Sequence, residues 1–216
     1  MMSVVPAAMS DPATLMLHAV RLLGFADTAR VASRFGADRV EAHESLLDFE
    51  AFGWVRRSSF AETSGWSLTE AGRTEDERRL ATELEDVGVR SVVEDVHHRF
   101  LPLNARFLTA VTRWQTRPLP GDPMAANDHS DFRWDERIFG TLSSLGRRMG
   151  ALSSELADVL PRFVGYAGRY DAALARAVRG EHHWVDGIAV DSCHLVWMQL
   201  HEDLIATLGL RREDLA

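Results

Sequence analysis

The sequence predicts a mainly α protein with an N-terminal helical domain carrying one small β-hairpin, residues 1–75, and a C-terminal helical bundle, residues 76–216. Three observations predict it. Apolar residues recur at helical spacing along most of the chain, glycines punctuate the periodic runs, and a single short stretch near residues 54–69 alternates as strands do.

Leu15, Leu17, Val20, Leu22 and Leu23 sit at near-helical spacing and stop at Gly24, which marks a first helix. Asp27 or Thr28 can cap a short second helix over 28–35, stopped by Gly36. A third helix follows over 38–52, with Val40, Leu46, Leu47 and Phe49 as its apolar positions and Gly53 at its end. Trp54-Val55-Arg56-Arg57 and Gly65-Trp66-Ser67-Leu68-Thr69 read as two short strands separated by the polar segment 58–64, and Thr69 fits as the cap of a further helix. Three helices followed by a hairpin are the order of a winged helix-turn-helix with a small β-wing.

The phrase Gly53-Trp54-Val55-Arg56-Arg57, followed by Trp66-Ser67-Leu68-Thr69-Glu70-Ala71-Gly72-Arg73, resembles the wing of MarR-type winged-helix regulators. The likeness covers about residues 12–75. It implies a third helix that enters the DNA major groove, a wing arginine that touches phosphate or the minor groove, and helices outside this module that form the dimer and the effector pocket.

Charge opposes a direct transfer of that role. Residues 12–73 hold seven arginines, no lysine and eight carboxylates, whereas affinity for a duplex rests largely on neutralising phosphates. The third helix carries Asp38, Glu41, Glu44, Asp48 and Glu50 against Arg39 and His43, and would repel DNA unless those acids point elsewhere. Arg34, Arg39, His43, Arg56 and Arg57 are the candidate DNA contacts, with Arg30 on the same rim. The alternative is a winged helix kept as a structural or protein-contact module.

The 216 residues are 46% hydrophobic, enough for a full core, and the net charge of −8 gives no general attraction for nucleic acid or an anionic membrane. All 24 basic residues are arginine, which reads as base composition of the genome rather than as a functional choice. One cysteine excludes an intrachain disulfide framework and fits a reducing cytoplasm. Residues 1–10 lack a basic n-region and a long apolar core and read as a frayed tail, and no stretch approaches the ~20 apolar residues of a membrane span.

Beyond the hairpin, one long helix is expected over 69–114, bent near Gly88 and again at Pro102, with Val89 to Val111 supplying its apolar stripe. This helix and the last one are the expected dimerisation elements of a homodimer. Pro118, Pro120, Gly121 and Pro123 break regular structure over 117–131. Helices are then expected over 134–149, 153–178 and 182–208.

Two polar constellations interrupt the bundle. Asn127-Asp128-His129-Ser130-Asp131 closes the proline-rich loop; Asp131 can cap the next helix, and the segment also presents an imidazole between carboxylates, as acid–base sites do. In the last helix Asp191, His194 and His201 fall along one face, where inter-helix hydrogen bonding is one reading and a shared functional cavity with His129 another. A metal site drawing on His97-His98, His129, His182-His183, His194 and His201 is a sharper alternative, but no tight metal motif is present and no metal ligand is assigned. This pattern distantly resembles the helical domain of GntR-type regulators, without spacing that would carry residues over. Candidate ligand contacts are Asn127, Asp128, His129, Trp114, Trp134, Tyr166, Arg169, Asp191, His194, Trp197 and His201.

Asn127 to Asp131, Arg162-Phe163 with Tyr166 and Arg169, and Asp191 to Trp197 with Leu200-His201-Glu202-Asp203-Leu204 resemble small actinobacterial proteins that pair a MarR-like wing with this helical region. These are labelled as regulators or by association with pyruvate phosphate dikinase; the chain itself has neither a phosphohistidine-domain signature nor a nucleotide-binding glycine loop. The expected function is a MarR-like transcriptional regulator that binds double-stranded DNA and a small molecule of unknown identity, with no cofactor indicated. The alternative is an enzyme on the same scaffold doing acid–base or lyase-like chemistry with His129, His194, His201 and Asp191. Cys193 beside His194 makes no thiolate dyad, because adjacent helical residues point about 100° apart.

Overall fold

The computed structural model describes residues 10–60 and 63–210. In order along the chain lie α1 (Pro12–Leu23), α2 (Thr28–Arg34), α3 (Arg39–Ala51), β1 (Val55–Phe60), β2 (Thr63–Leu68) and α4 (Glu70–Val87). They are followed by α5 (Arg90–Gln115), α6 (Phe132–Ala157), a 3-10 turn (Pro161–Phe163), α7 (Tyr166–Val178), α8 (His183–Asp186) and α9 (Cys193–Leu208). The fold is mainly helical with one two-stranded antiparallel sheet among the described residues. None of the described helices is long and apolar enough to cross a membrane.

The described chain divides into two compact units: 10–93 with 158–162 and 201–210, and 94–157 with 163–200. The first therefore runs past residue 75 and also takes in segments from late in the sequence.

Local chemistry sets the boundaries in the first unit. Asp11, Asp27 and Asp38 cap α1, α2 and α3, each accepting backbone N–H groups of the first turn. Met16, Leu17, Ala19 and Val20 of α1 join Val31, Ala42, Leu46, Phe49, Val55 and Trp66 in one buried cluster. The hairpin pairs Val55 with Leu68 and Arg57 with Trp66, and Ala26 bridges to Trp66 beside it. Its strands run through Ser58–Ser59 and Ser64, so most of the polar segment expected as a connection is strand; residues 61–62 lie outside the described residues.

Thr69 accepts from the Gly72 N–H at 3.0 Å and donates its hydroxyl toward the Gly53 carbonyl at 2.7 Å, which fastens α4 to the end of α3. Gly72 is required here by close approach: a Cβ at this position would stand 1.9 Å from the Trp54 carbonyl oxygen. The phrase Leu68-Thr69-Glu70-Ala71-Gly72 thus packs a helix start against a backbone carbonyl.

Four expected helices are corrected. The helix expected over 69–114 is two, because Gly88 adopts the left-handed conformation (φ 70°, ψ 29°) and its N–H closes on Leu84 and Glu85, ending α4 instead of bending it. Pro102 sits inside α5 without ending it. Helix α6 continues through residues 150–157, since Leu142, Leu145, Met149, Leu152 and Leu156 prolong its buried stripe, and the helix expected over 153–178 is replaced by the end of α6, the 3-10 turn at Pro161 and α7. The helix expected over 182–208 is also two: α8 stops at Gly187, and Ser192 accepts from the Leu195 N–H at 3.1 Å to start α9.

In the second unit the core is aromatic. The rings of Phe107 and Trp197 stack 4.2 Å apart at 3°, with Phe100 and Tyr170 against the same indole. The Tyr170 hydroxyl donates to the Leu142 carbonyl at 3.0 Å.

Candidate functional site

A groove of about 530 Å³ lies in the first unit where α3 faces the hairpin and the start of α2. Arg39, Val40 and His43 line it from α3, Arg57 and Trp66 from the hairpin, and Asp27 and Thr28 from α2. The Trp66 indole N–H donates to Thr28 Oγ1 at 3.0 Å, its ring lies edge-on to His43, and the Arg57 guanidinium is 5.6 Å from its centre. Neither Arg39 nor Arg57 forms an ion pair among the described residues. Asp27, the acid at the rim, is occupied in accepting the Arg30 N–H at 2.8 Å.

The acids of α3 are distributed by helical geometry. Ala42, Leu46 and Phe49 are buried, and Arg39 and His43 fall on the flank toward the hairpin. Glu41, Glu44 and Asp48, spaced three and four residues apart, form a stripe on the other flank and are absent from the groove lining. Glu50 shares the groove-side flank, but its carboxylate accepts the Arg57 backbone N–H at 3.3 Å.

Only part of the expected basic set meets here. Strand alternation puts Arg57 on the face of Val55 and Trp66 and Arg56 on the opposite face, where its Nε donates to Ser67 at 3.4 Å. The Arg34 guanidinium stacks 4.4 Å above Phe35 and contributes to holding the Asp203 carboxylate ionised, so it serves the interior.

In the second unit the proline-rich loop delivers His129 to α6. Its Nδ1 is 3.0 Å from Asp135 Oδ2, its ring lies 4.2 Å from Trp114 and 4.6 Å from His182, and its backbone is left-handed at φ 58°. Asn127 organises the turn, accepting the His129 N–H at 3.2 Å and donating at 3.0 Å to both the Trp114 carbonyl and Asp135 Oδ1. A carboxylate on Nδ1 selects the tautomer that carries its proton there and leaves the Nε2 lone pair for acid–base work. Asp128 faces solvent and binds Ser130, which lowers its carboxyl below the usual range.

The remaining expected contacts go elsewhere. Asp191 precedes α9 and pairs with Arg169 through bonds of 2.8 and 2.9 Å, and Arg169 also reaches Gln199 at 2.6 Å. His194 stacks on Phe107, and its imidazole is pushed toward neutrality by burial. His201 is half-buried and belongs to the first unit. The stripe expected from residues 191, 194 and 201 is corrected at Asp191, which lies before α9, whereas His194 and His201 stand seven residues apart on that helix. Trp197 and Tyr166 are core: the Trp197 indole donates to Asn104 at 3.0 Å, and the Tyr166 hydroxyl to the Gln199 carbonyl at 3.3 Å. Trp134 donates to the Arg113 carbonyl at 2.9 Å. Among the described residues no group of three or more His, Cys, Asp or Glu is placed to hold a metal ion.

A cluster that the sequence did not assemble, although Arg162, Glu202 and Asp203 stand in the motifs quoted for the resemblance, occupies the first unit's interior. His18 Nδ1 is 3.2 Å from Asp76 and its Nε2 is 3.1 Å from Asp203, all three side chains being fully buried. Arg162 pairs with Asp203 and donates to Glu83 at 3.0 Å and Thr207 at 2.8 Å. Arg21 reaches Asp76, Glu77 and Glu202. The sequence signal was ionisable residues at buried positions of apolar helices, such as His18 between Leu17 and Ala19. Each has charged partners inside the protein, so the cluster ties α1, α4 and the end of α9 together.

Comparison with protein-family models, with curated proteins and with solved structures finds no match to the chain.

Proposed function

We propose that the chain is a MarR-like transcriptional regulator in which α1 to α4 and the hairpin act as a winged helix-turn-helix. In this reading α3 enters the major groove of a DNA duplex with Arg39, His43 and Arg57 along the edge that meets the phosphates, two copies pair to read two half-sites, and the helical part takes a small ligand that controls release. The observation that carries the reading is the segregation of charge on α3: Arg39 and His43 line the groove with Arg57, while Glu41, Glu44 and Asp48 lie on the other flank. A helix presenting its cations on one edge can approach phosphates along that edge even in a chain of net charge −8. The test is anisotropy titration, at low salt, of a labelled duplex from upstream of the protein's own coding sequence. Saturable binding that weakens with salt and is lost in Arg39→Ala with Arg57→Glu supports the reading. Failure of that duplex and of neighbouring intergenic duplexes to bind refutes it.

One observation favours a second reading, an enzyme of the helical unit. Asp135 and Asn127 fix His129 against Trp114 and His182, an arrangement suited to a general base. Turnover of a small metabolite that is abolished by His129→Ala and reduced by Asp135→Asn, in folded variants, supports it; turnover unchanged by both excludes this site.

A further inference from the structure

The second unit carries a groove of about 610 Å³ formed by α5 and α6, and its charge is of one sign. Arg106 and Arg113 of α5 and Arg137 of α6 line it, and no carboxylate does. None of these three guanidiniums forms an ion pair among the described residues, in a chain with 32 carboxylates against 24 arginines. Other arginines of the unit are paired, Arg99 with Asp95 and Glu155, Arg169 with Asp191 and Arg176 with Glu181, while Arg133, Arg147 and Arg148 also lack ion pairs among the described residues but do not line the groove. Three guanidiniums lining one concavity with no carboxylate among them give it a positive potential that an anion complements.

Two of the three are also positioned. The Trp134 indole is anchored to α5 through its bond to the Arg113 carbonyl, and the Arg113 and Arg137 guanidiniums stand 4.7 and 5.6 Å from its ring centre. Such stacking restrains a flexible side chain while leaving its N–H groups available. The buried residues Ala110 and Ile138 contribute the apolar part of the lining, and Ser144 adds a neutral hydroxyl. The size lies within the range of about 300–1,000 Å³ found for small-molecule sites.

We propose that this groove binds a small phosphorylated ligand carrying at least two adjacent negative charges, with Arg106, Arg113 and Arg137 as its phosphate contacts. Guanidinium forks match phosphate oxygens in pairs, and three of them favour a diphosphate over a single phosphate. The site is independent of the groove beside α3 and stands whether or not the chain binds DNA.

The test is isothermal titration calorimetry of the full chain at low salt with sodium pyrophosphate and, separately, inorganic phosphate. Saturable pyrophosphate binding is expected, about tenfold or more tighter than phosphate, and weakened about tenfold or more by Arg106→Gln or Arg137→Gln. Both side chains are exposed, and circular dichroism confirms that the variants fold. No saturable binding of pyrophosphate, or binding that both substitutions leave unchanged, overturns the proposal. So does a duplex whose affinity falls in Arg106→Gln and that displaces pyrophosphate, because the groove is then a nucleic-acid surface. Loss of duplex binding in Arg57→Glu with pyrophosphate binding retained separates this site from the regulator reading.

Discussion

His18 Nδ1 lies 3.2 Å from Asp76 Oδ2 with both side chains fully buried, and Asp203 stands on the other side of the same ring. Burial lowers the affinity of His18 for its second proton, but the carboxylates of Asp76 and Asp203 outweigh it and raise its pKa above the ordinary value.

A histidine raised in this way stabilises the fold fully below its unfolded pKa, about 6.5, and the contribution disappears as pH rises through the higher folded value. Urea denaturation of the wild type is therefore expected to show stability falling as pH increases above neutrality. In His18→Gln that slope flattens, and His18→Ala costs about 3–5 kcal/mol at pH 6, because the buried carboxylates of Asp76 and Asp203 lose the imidazolium that stands against both. A pH slope identical in wild type and His18→Gln excludes the coupling.

Asp203 shifts the opposite way. Burial raises its pKa, while Arg162 and then His18 pull it well below the usual carboxylate range. Its contribution is present above its unfolded value, about 3.9, and is lost as pH falls through the folded one, so it is at full strength at neutral pH. Asp203→Asn is expected to cost about 3–5 kcal/mol at pH 7, removing the buried carboxylate shared by Arg162 and His18 and leaving Arg162 paired with Glu83, and the deficit shrinks in acid. Chemical denaturation at pH 7 and pH 3.5 measures both.

Two glycine substitutions separate close approach from helix propensity. Gly72→Ala forces a methyl onto the Trp54 carbonyl and should destabilise by about 1–3 kcal/mol or more, whereas Gly168→Ala, in α7 with open space around it, should stabilise by about 0.5–1 kcal/mol. Thermal melts of the two variants check the contrast.

Cys193 is expected to be chemically silent. Burial pushes its thiol up to about 12, and the side chain is fully enclosed at the first turn of α9. Iodoacetamide at pH 8 should leave the native protein unlabelled and modify it stoichiometrically once unfolded, as intact mass shows; rapid labelling of the native protein contradicts the placement.

The sequence made some of this architecture legible and hid the rest for physical reasons. The helix end at Gly24 and the cap at Thr69 are local, decided by a residue's own backbone preference or one hydrogen bond, although Gly88 read as a bend because the apolar pattern resumes at Val89, and the end at Gly187 was missed by a helix expected over 182–208. The arrangement expected for Asp191, His194 and His201 failed at one residue: Ser192 caps α9, so Asp191 lies outside the helix and helical spacing does not apply to it. His129 was legible as a histidine on a stiffened loop, but its carboxylate is Asp135 of α6 and not either flanking aspartate. The His18, Asp76, Arg162 and Asp203 cluster depends on residues far apart in the chain, and no local pattern announces such pairs. The groove of Arg106, Arg113 and Arg137 was hidden likewise, because helical spacing places arginines on a face without revealing which lack carboxylate partners.

The measurement that bears most directly on a duplex-binding role for the α3 groove is the salt dependence of duplex affinity for Arg56→Glu and Arg57→Glu side by side. The two residues are neighbours in sequence and identical in charge, but Arg57 lines the groove with Arg39 and His43 while Arg56 lies on the opposite face of the hairpin. Arg57→Glu is expected to weaken binding about tenfold or more and to reduce the slope of log affinity against log salt by about one, with Arg56→Glu changing either quantity far less. Equal losses from the two reversals, or no duplex binding by the wild type at low salt, would contradict it.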